Sequence, residues 1–148
     1  MPFRFPLQAL LHFRQSLEHQ QELRLLAANQ QVARVRRQVE EIDGSIREAH
    51  SRQTKQLGTG TTMAELRFLL LCEAALDQRR QELKQELGSQ EKSRDEQREI
   101  FHQARRQRET LDSLRNQQFR SYQVEAVRHE QRELDDLFLL RRARRPRG

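Results

Sequence analysis

The sequence predicts an all-α chain, folded as an elongated antiparallel two-helix coiled-coil hairpin, with the second helix longer and a bend or weak point expected near Gly88. Three observations predict it. The prolines, Pro2, Pro6 and Pro146, all lie near the termini, so the long interior lacks the residue that most reliably stops a helix. Of the 148 residues, 34% are charged and 34% hydrophobic, with a mean hydropathy of −1.02, so each element can bury only a narrow stripe. Gly58 and Gly60, two glycines within three residues, permit positive φ and let the chain turn back. No strand is expected.

Met1 to Pro6 reads as a short extended lead-in, because the residue before each proline is pushed away from helical dihedrals. Pro6 suits the first position of a helix. Helix one is expected over about 7–57. Its apolar positions begin with Leu7, Leu10 and Leu17. From Leu25 through Ala28, Val32, Val35, Val39, Ile42, Ile46 and Ala49 the spacing alternates three and four, the signature of one continuous seam. The interval from Leu17 to Leu25 is eight residues where seven would keep the phase, so the seam slips there. Gly44 falls off the seam and costs about 1 kcal/mol relative to Ala without ending the helix.

The stretch Leu57 to Leu76, LGTGTTMAELRFLLLCEAAL, organises the chain, with the turn at about 58–62. Thr62 with Glu65 has the form of a capping box, so helix two starts at about Met63 and is expected to reach about 144. Its first turns carry Leu66, Phe68, Leu69, Leu70, Leu71, Cys72, Ala74, Ala75 and Leu76, a patch too wide for one coiled-coil seam. Leu66, Leu69, Leu76, Leu83 and Leu87 make the first seam. The polar run GSQEKSRDEQRE follows, with no aliphatic seam residue until Ile100, and this places the expected weak point. The seam resumes with Ile100, Phe101, Ala104, Leu111 and Leu114, and the last section carries Phe119, Tyr122, Ala126, Leu134, Leu137 and Phe138. A basic tail over 141–148 closes a single coiled-coil domain over 1–148.

At ~1.5 Å per residue helix one spans roughly 75 Å and helix two roughly 120 Å. Two pairings stay open. Folding back at the glycines sets residue 7 opposite about residue 113 and leaves Leu114 to Arg144 without an intramolecular partner. A bend at Gly88 instead pairs residues 89 to 143 with helix one and leaves residues 62 to 87 projecting. Either way one apolar surface remains for a partner.

A single cysteine, Cys72, excludes an internal disulfide, fits a reducing compartment and reads as a small packed hydrophobe. The N-terminal apolar residues are interrupted by Arg4, Gln8, His12 and Arg14, so no secretory signal is visible. The longest apolar run, Phe68 to Cys72, is far short of the ~20 residues a membrane span needs. His129-Glu130-Gln131-Arg132-Glu133 resembles a metalloprotease helix but ends in Glu where a second His is required, and GTGTT lacks the Lys and spacing of a phosphate loop. Neither an enzyme nor a metal or cofactor is expected, since so thin a helix pair offers no water-excluding pocket for a nucleophile and its base.

Two function classes then compete. One is a protein adaptor or stalk using the apolar patch at Phe68 to Leu76 and the aromatic C-terminal section. The other is a nucleic-acid binder using Arg34, Arg36, Arg37, Arg105, Arg106, Arg108 and the tail arginines 141, 142, 144, 145 and 147, part of a net charge of +6. Glu40, Glu41, Glu109, Asp112, Asp135 and Asp136 interleave with those arginines, and one Tyr and seven Phe leave little for base stacking. The adaptor is favoured, and nucleic acid is not the expected partner.

The opening FRFPLQALLHFR, the length near 150, the glycine turn and the ending RHEQRELDDLF together resemble the flagellar FliJ family over nearly the whole chain. The resemblance implies an antiparallel coiled coil similar to the central stalk of rotary ATPases, placed in the cytoplasm and peripheral at the cytoplasmic face of the inner membrane. It implies three partners: the hexameric flagellar export ATPase, the cytoplasmic domain of the export gate membrane protein, and export chaperones. The equivalent stalk of a virulence-type III secretion system is the alternative.

In the family the gate-binding face reads Phe, Leu, Ala, His at intervals of four, three and four. Phe68, Cys72, Ala75 and Arg79 fall at those intervals here, with Cys72 and Arg79 as departures. That spacing puts all four on one helical face beside the seam. For the ATPase-facing end the resemblance leads to a tip formed by Leu7, Leu10, Leu11, Phe13, Leu134, Leu137 and Phe138, with Arg128, Gln131, Arg132 and Asp135 making polar contacts.

Overall fold

The computed structural model describes residues 2–145, and among them the regular structure is two helices, α1 over Gln8–Thr59 and α2 over Met63–Arg144. Pro6 fixes its own φ just ahead of α1, and the Gln8 N–H donates to the Phe5 carbonyl at 3.1 Å, closing a turn through the proline. The Leu11 N–H then donates to the Leu7 carbonyl at 2.9 Å and opens the helical ladder. This turn tucks Phe5 into the core, so the lead-in is more than an extended arm.

α1 continues to Thr59, through Gly58. Only one residue has to leave right-handed space for the chain to reverse, and Gly60 does so with φ at 88°. The Thr59 hydroxyl donates to the Lys55 and Gln56 carbonyls at 3.3 and 3.2 Å, covering two carbonyls of the last turn. The capping box forms as the residues require. The Glu65 N–H donates to Thr62 Oγ1 at 3.2 Å, and the Thr62 N–H donates back to Glu65 Oε2 at 3.5 Å. Thr61 Oγ1 adds a third bond to the same carboxylate at 2.9 Å.

The helices pack in two compact units, one made by residues 19–102 and the other by residues up to Glu18 with those from Gln103 onward. In the first, Val32, Val35 and Leu83 are buried, each contributing on the order of 1.5–3 kcal/mol. Polar pairs flank this core: Gln21 with Gln97 at 2.7 Å, Arg36 with Glu91 at 3.0 Å, Asp43 with Arg80 at 2.6 Å and His50 with Glu73 at 3.4 Å. As the position on α1 rises, its partner on α2 falls, so the pairing is antiparallel. It also decides between the two registers. Asp43 and His50 meet residues that follow the turn directly, so residues 62 to 87 are paired and do not project, and α2 passes through Gly88 as one helix.

The slip between Leu17 and Leu25 has a physical resolution. Gln21 takes the seam position between them and is buried, its side-chain oxygen accepting from Gln97 Nε2. Gln97 belongs to the polar run after Gly88, where Gln90, Glu91, Arg94 and Gln97 are half-buried. The seam there continues in polar form, and its one buried side chain is satisfied.

In the other unit Phe5, Leu11 and Ala104 are buried. Arg14 Nη1 donates to Gln107 Oε1 at 2.6 Å. Phe3 stacks edge-on against Phe119 with ring centroids 5.2 Å apart and tilts against Tyr122 at 5.5 Å. The lead-in thereby extends the pairing past residue 114, and the unpaired stretch begins beyond Ala126. From residue 127 to 145 every residue is exposed. The tail arginines 141, 142 and 144 close the last turn of α2, where positive charge meets the carbonyl end of the helix. Residues 146–148, with Pro146 and Arg147, lie outside the described residues.

Candidate functional site

Near the turn, α2 carries more apolar residues than its seam can use. Leu66, Leu69 and Leu76 are half-buried toward α1, and the surplus is left outside. Phe68 is 66% exposed and Leu71 70%, with Met63 and Leu70 exposed beside them. Among the expected gate-binding residues, Phe68, Ala75 and Arg79 are exposed and Cys72 is half-buried, so the face is an apolar ridge with Cys72 at its inner edge. Arg79 closes the ridge with a 3.4 Å ion pair to Glu82. Phe68 also borders a shallow depression with Gln56, Ala64, Glu65 and Leu69. Leu71 was not singled out by the family spacing, although it is the more exposed of the two large side chains.

The residues expected at the other end divide into two groups. Leu11 is 2% exposed and packs inside, while Leu7, Leu10 and Phe13 are exposed. They lie beside the part of α2 near Gln107 and Arg115. Arg128, Gln131, Arg132, Leu134, Asp135, Leu137 and Phe138 are all exposed, farther along the same helix. From Arg115 to Leu134 is about 29 Å at ~1.5 Å per residue, so the two groups do not make one contiguous tip within this chain. In the second group Arg128 Nη1 donates to Glu125 at 3.4 Å and Gln131 Nε2 donates to Asp135 at 3.1 Å. Val124, Val127, Leu139 and Leu140 add further apolar positions there, all exposed. The unbroken run Leu137 to Leu140 was the available signal for the last two.

On the turn-ward side of the Leu7, Leu10 and Phe13 group, Arg108 forms a charged cluster with Glu18 and Asp112. Arg108 grips Glu18 with two bonds, Nε to Oε2 at 2.6 Å and Nη2 to Oε1 at 3.2 Å, while Nη1 donates to Asp112 Oδ2 at 2.7 Å. The hydrogen bond to Glu18, then that to Asp112, raises the guanidinium's pKa above its ordinary value. Arg36 and Arg105 are likewise engaged, with Glu91 and Glu109 at 3.0 Å each, so three of the arginines considered for nucleic acid already hold carboxylates.

Among the described residues no group of three or more His, Cys, Asp or Glu could hold a metal ion, and no helix is long and apolar enough to cross a membrane. His129 Nε2 lies 3.7 Å from Glu133 on the exposed surface. The arrangement offers exposed apolar faces on helices, which is what docking to other proteins requires.

No curated protein and no solved structure matches the chain. A family model, described as Flagellar FliJ protein, matches residues 3–148. By that match, which spans essentially its whole length, the chain belongs to the flagellar FliJ protein family, a component of the flagellar export apparatus.

Proposed function

We propose that the protein is a non-enzymatic linking stalk of flagellar type III export. The end of α2 beyond Ala126 seats in the export ATPase hexamer, the ridge at Phe68, Cys72, Ala75 and Arg79 meets the cytoplasmic domain of the export gate, and export chaperones bind along the chain. It would work in the cytoplasm, peripheral at the inner membrane. The observation that carries the reading is the exposed apolar side chains Leu134, Leu137 and Phe138 on a helix that has run out of α1 to pair with. Leu7, Leu10 and Phe13 supply a second, separate contact, and Leu11 supports them from inside. A ring of subunits gripping a shaft needs this mixture of apolar and charged groups, because a shaft held too tightly in one state could not change partners.

The test is to titrate the chain into a flagellar export ATPase while following ATP hydrolysis and hexamer formation. Stimulation is expected to saturate near about one chain per six ATPase subunits. Deletion of residues 127–148, which removes Leu134, Leu137 and Phe138, should abolish it, and Phe68→Ala should weaken capture of the gate domain alone. Stimulation that survives the deletion would overturn the placement of the ATPase-facing end. Absence of any stimulation or co-migration would overturn the stalk reading itself.

A further inference from the structure

The apolar stripe beyond Tyr122 lies on a different face of α2 from the seam that meets α1. That seam reaches half-buried Tyr122 and Ala126, and its continuation would fall on His129, Glu133 and Asp136, all polar. A new series starts instead at Val124 and runs through Val127, Gln131, Leu134 and Phe138 to Arg141, at alternating intervals of three and four. At about 100° per residue, Val127 is turned a quarter-circle or more from Ala126, and the series stays on that side. It is a second heptad seam, exposed at every position.

We propose that this seam pairs with the same seam of a second copy of the chain, antiparallel, in a reversible dimer. The flanking charges choose the occupant and the register. With Gln131 set opposite the second copy's Leu134, Val127 meets Phe138 and the aliphatic stem of Arg141 lies over Val124. In that register Arg128 of each copy faces Asp135 of the other, two opposite-charge pairs related by the dyad. Sliding by one heptad in either direction brings Arg128 against Arg128 or Asp135 against Asp135. A parallel pair would set Glu130 against Asp135 twice. Gln131, a polar residue set between the apolar positions Val127 and Leu134, weakens the pair while helping to fix its register.

The contact from Val124 to Arg141 is about 26 Å long at ~1.5 Å per residue. It belongs among small, reversible interfaces. Arg128 and Asp135 hold only exposed intrahelical partners in the free chain, Glu125 and Gln131, so they can exchange them. Because Leu134 and Phe138 also belong to the proposed ATPase-facing end, dimer and ATPase complex exclude one another. The pairing is nonetheless a property of the free chain and does not rest on the ATPase reading.

The experiment is sedimentation equilibrium of the full chain at low salt, over concentrations up to about 100 µM. The wild type should show a monomer–dimer equilibrium. Arg128→Asp and Asp135→Arg should each weaken the dimer about tenfold or more, and the double variant R128D/D135R should return to within about threefold of wild type. These positions are exposed, and unchanged helicity by circular dichroism checks that each variant folds. A chain that stays monomeric throughout overturns the proposal and leaves the seam to a different protein. A dimer indifferent to the charge reversals, or not rescued by the double variant, overturns the seam and its register.

Discussion

Leu83 and Leu134 are the same residue on the same helix, yet Leu83 is 3% exposed and Leu134 61%. Their local sequences do not explain the difference, since both sit in heptad patterns flanked by charges. What differs is the chain opposite: α2 has 82 residues and α1 has 52, so only the first part of α2 finds a partner within the molecule. An amphipathic stripe therefore marks where a helix can be covered, while chain length and register decide whether its own chain covers it.

Placing the same charge at both positions gives the largest test. Leu83→Asp buries an unpaired carboxylate in the same compact unit as Val32 and Val35 and should cost about 3–5 kcal/mol. Leu134→Asp should stay within about 0.5 kcal/mol of wild type. Urea unfolding followed by helical circular dichroism reads both. Equal losses would show that the exposed stretch is covered in solution.

A middle-sized effect separates the arginines. Arg108→Met removes a guanidinium whose side chain is 24% exposed and leaves Glu18 and Asp112 without their donor. The loss should be about 1–2 kcal/mol. Arg128→Met, in the exposed stretch, should change monomer stability by about 0.5 kcal/mol or less. Arg108's raised pKa also fixes a sign. Its stabilisation is fully present below the unfolded-state value and fades only as pH rises through the higher folded value, so the Arg108→Met difference should not shrink from about pH 6 to pH 9.

Much of this was legible beforehand. The alternating threes and fours of α1, the glycine turn and the Thr62–Glu65 box are local chemistry, and each formed where its residues require. The faults in the pattern were legible only as faults. That Gln21 fills the slip by bonding Gln97, or that Arg108 reaches Glu18, depends on the register between two helices, which no window of a single helix contains. Phe3 and Phe5 were missed for a related reason: flanked by prolines they read as lead-in, and only α2 running past the start of α1 gives them Phe119 and Tyr122 to pack on. Leu7 and Leu134 could meet at one end only in the register that pairs residues 89 to 143 with helix one, and the contacts of Asp43 and His50 with Arg80 and Glu73 select the other.

The smallest effect concerns the glycines within the paired part. Gly60 takes φ at 88°, so Gly60→Ala should lower stability by about 1 kcal/mol through backbone strain. Gly88 sits inside α2 with nothing within 4 Å of where a Cβ would stand. Gly88→Ala should therefore raise stability by about 0.5–1 kcal/mol, because alanine loses less backbone freedom in a helix. Thermal unfolding midpoints moving in opposite directions would mean that the polar run after Gly88 is weak only in helix propensity. If Gly88→Ala instead lowered the midpoint as Gly60→Ala does, the helix would need a local departure there that alanine resists, and the polar seam through Gln97 would be shaped around it.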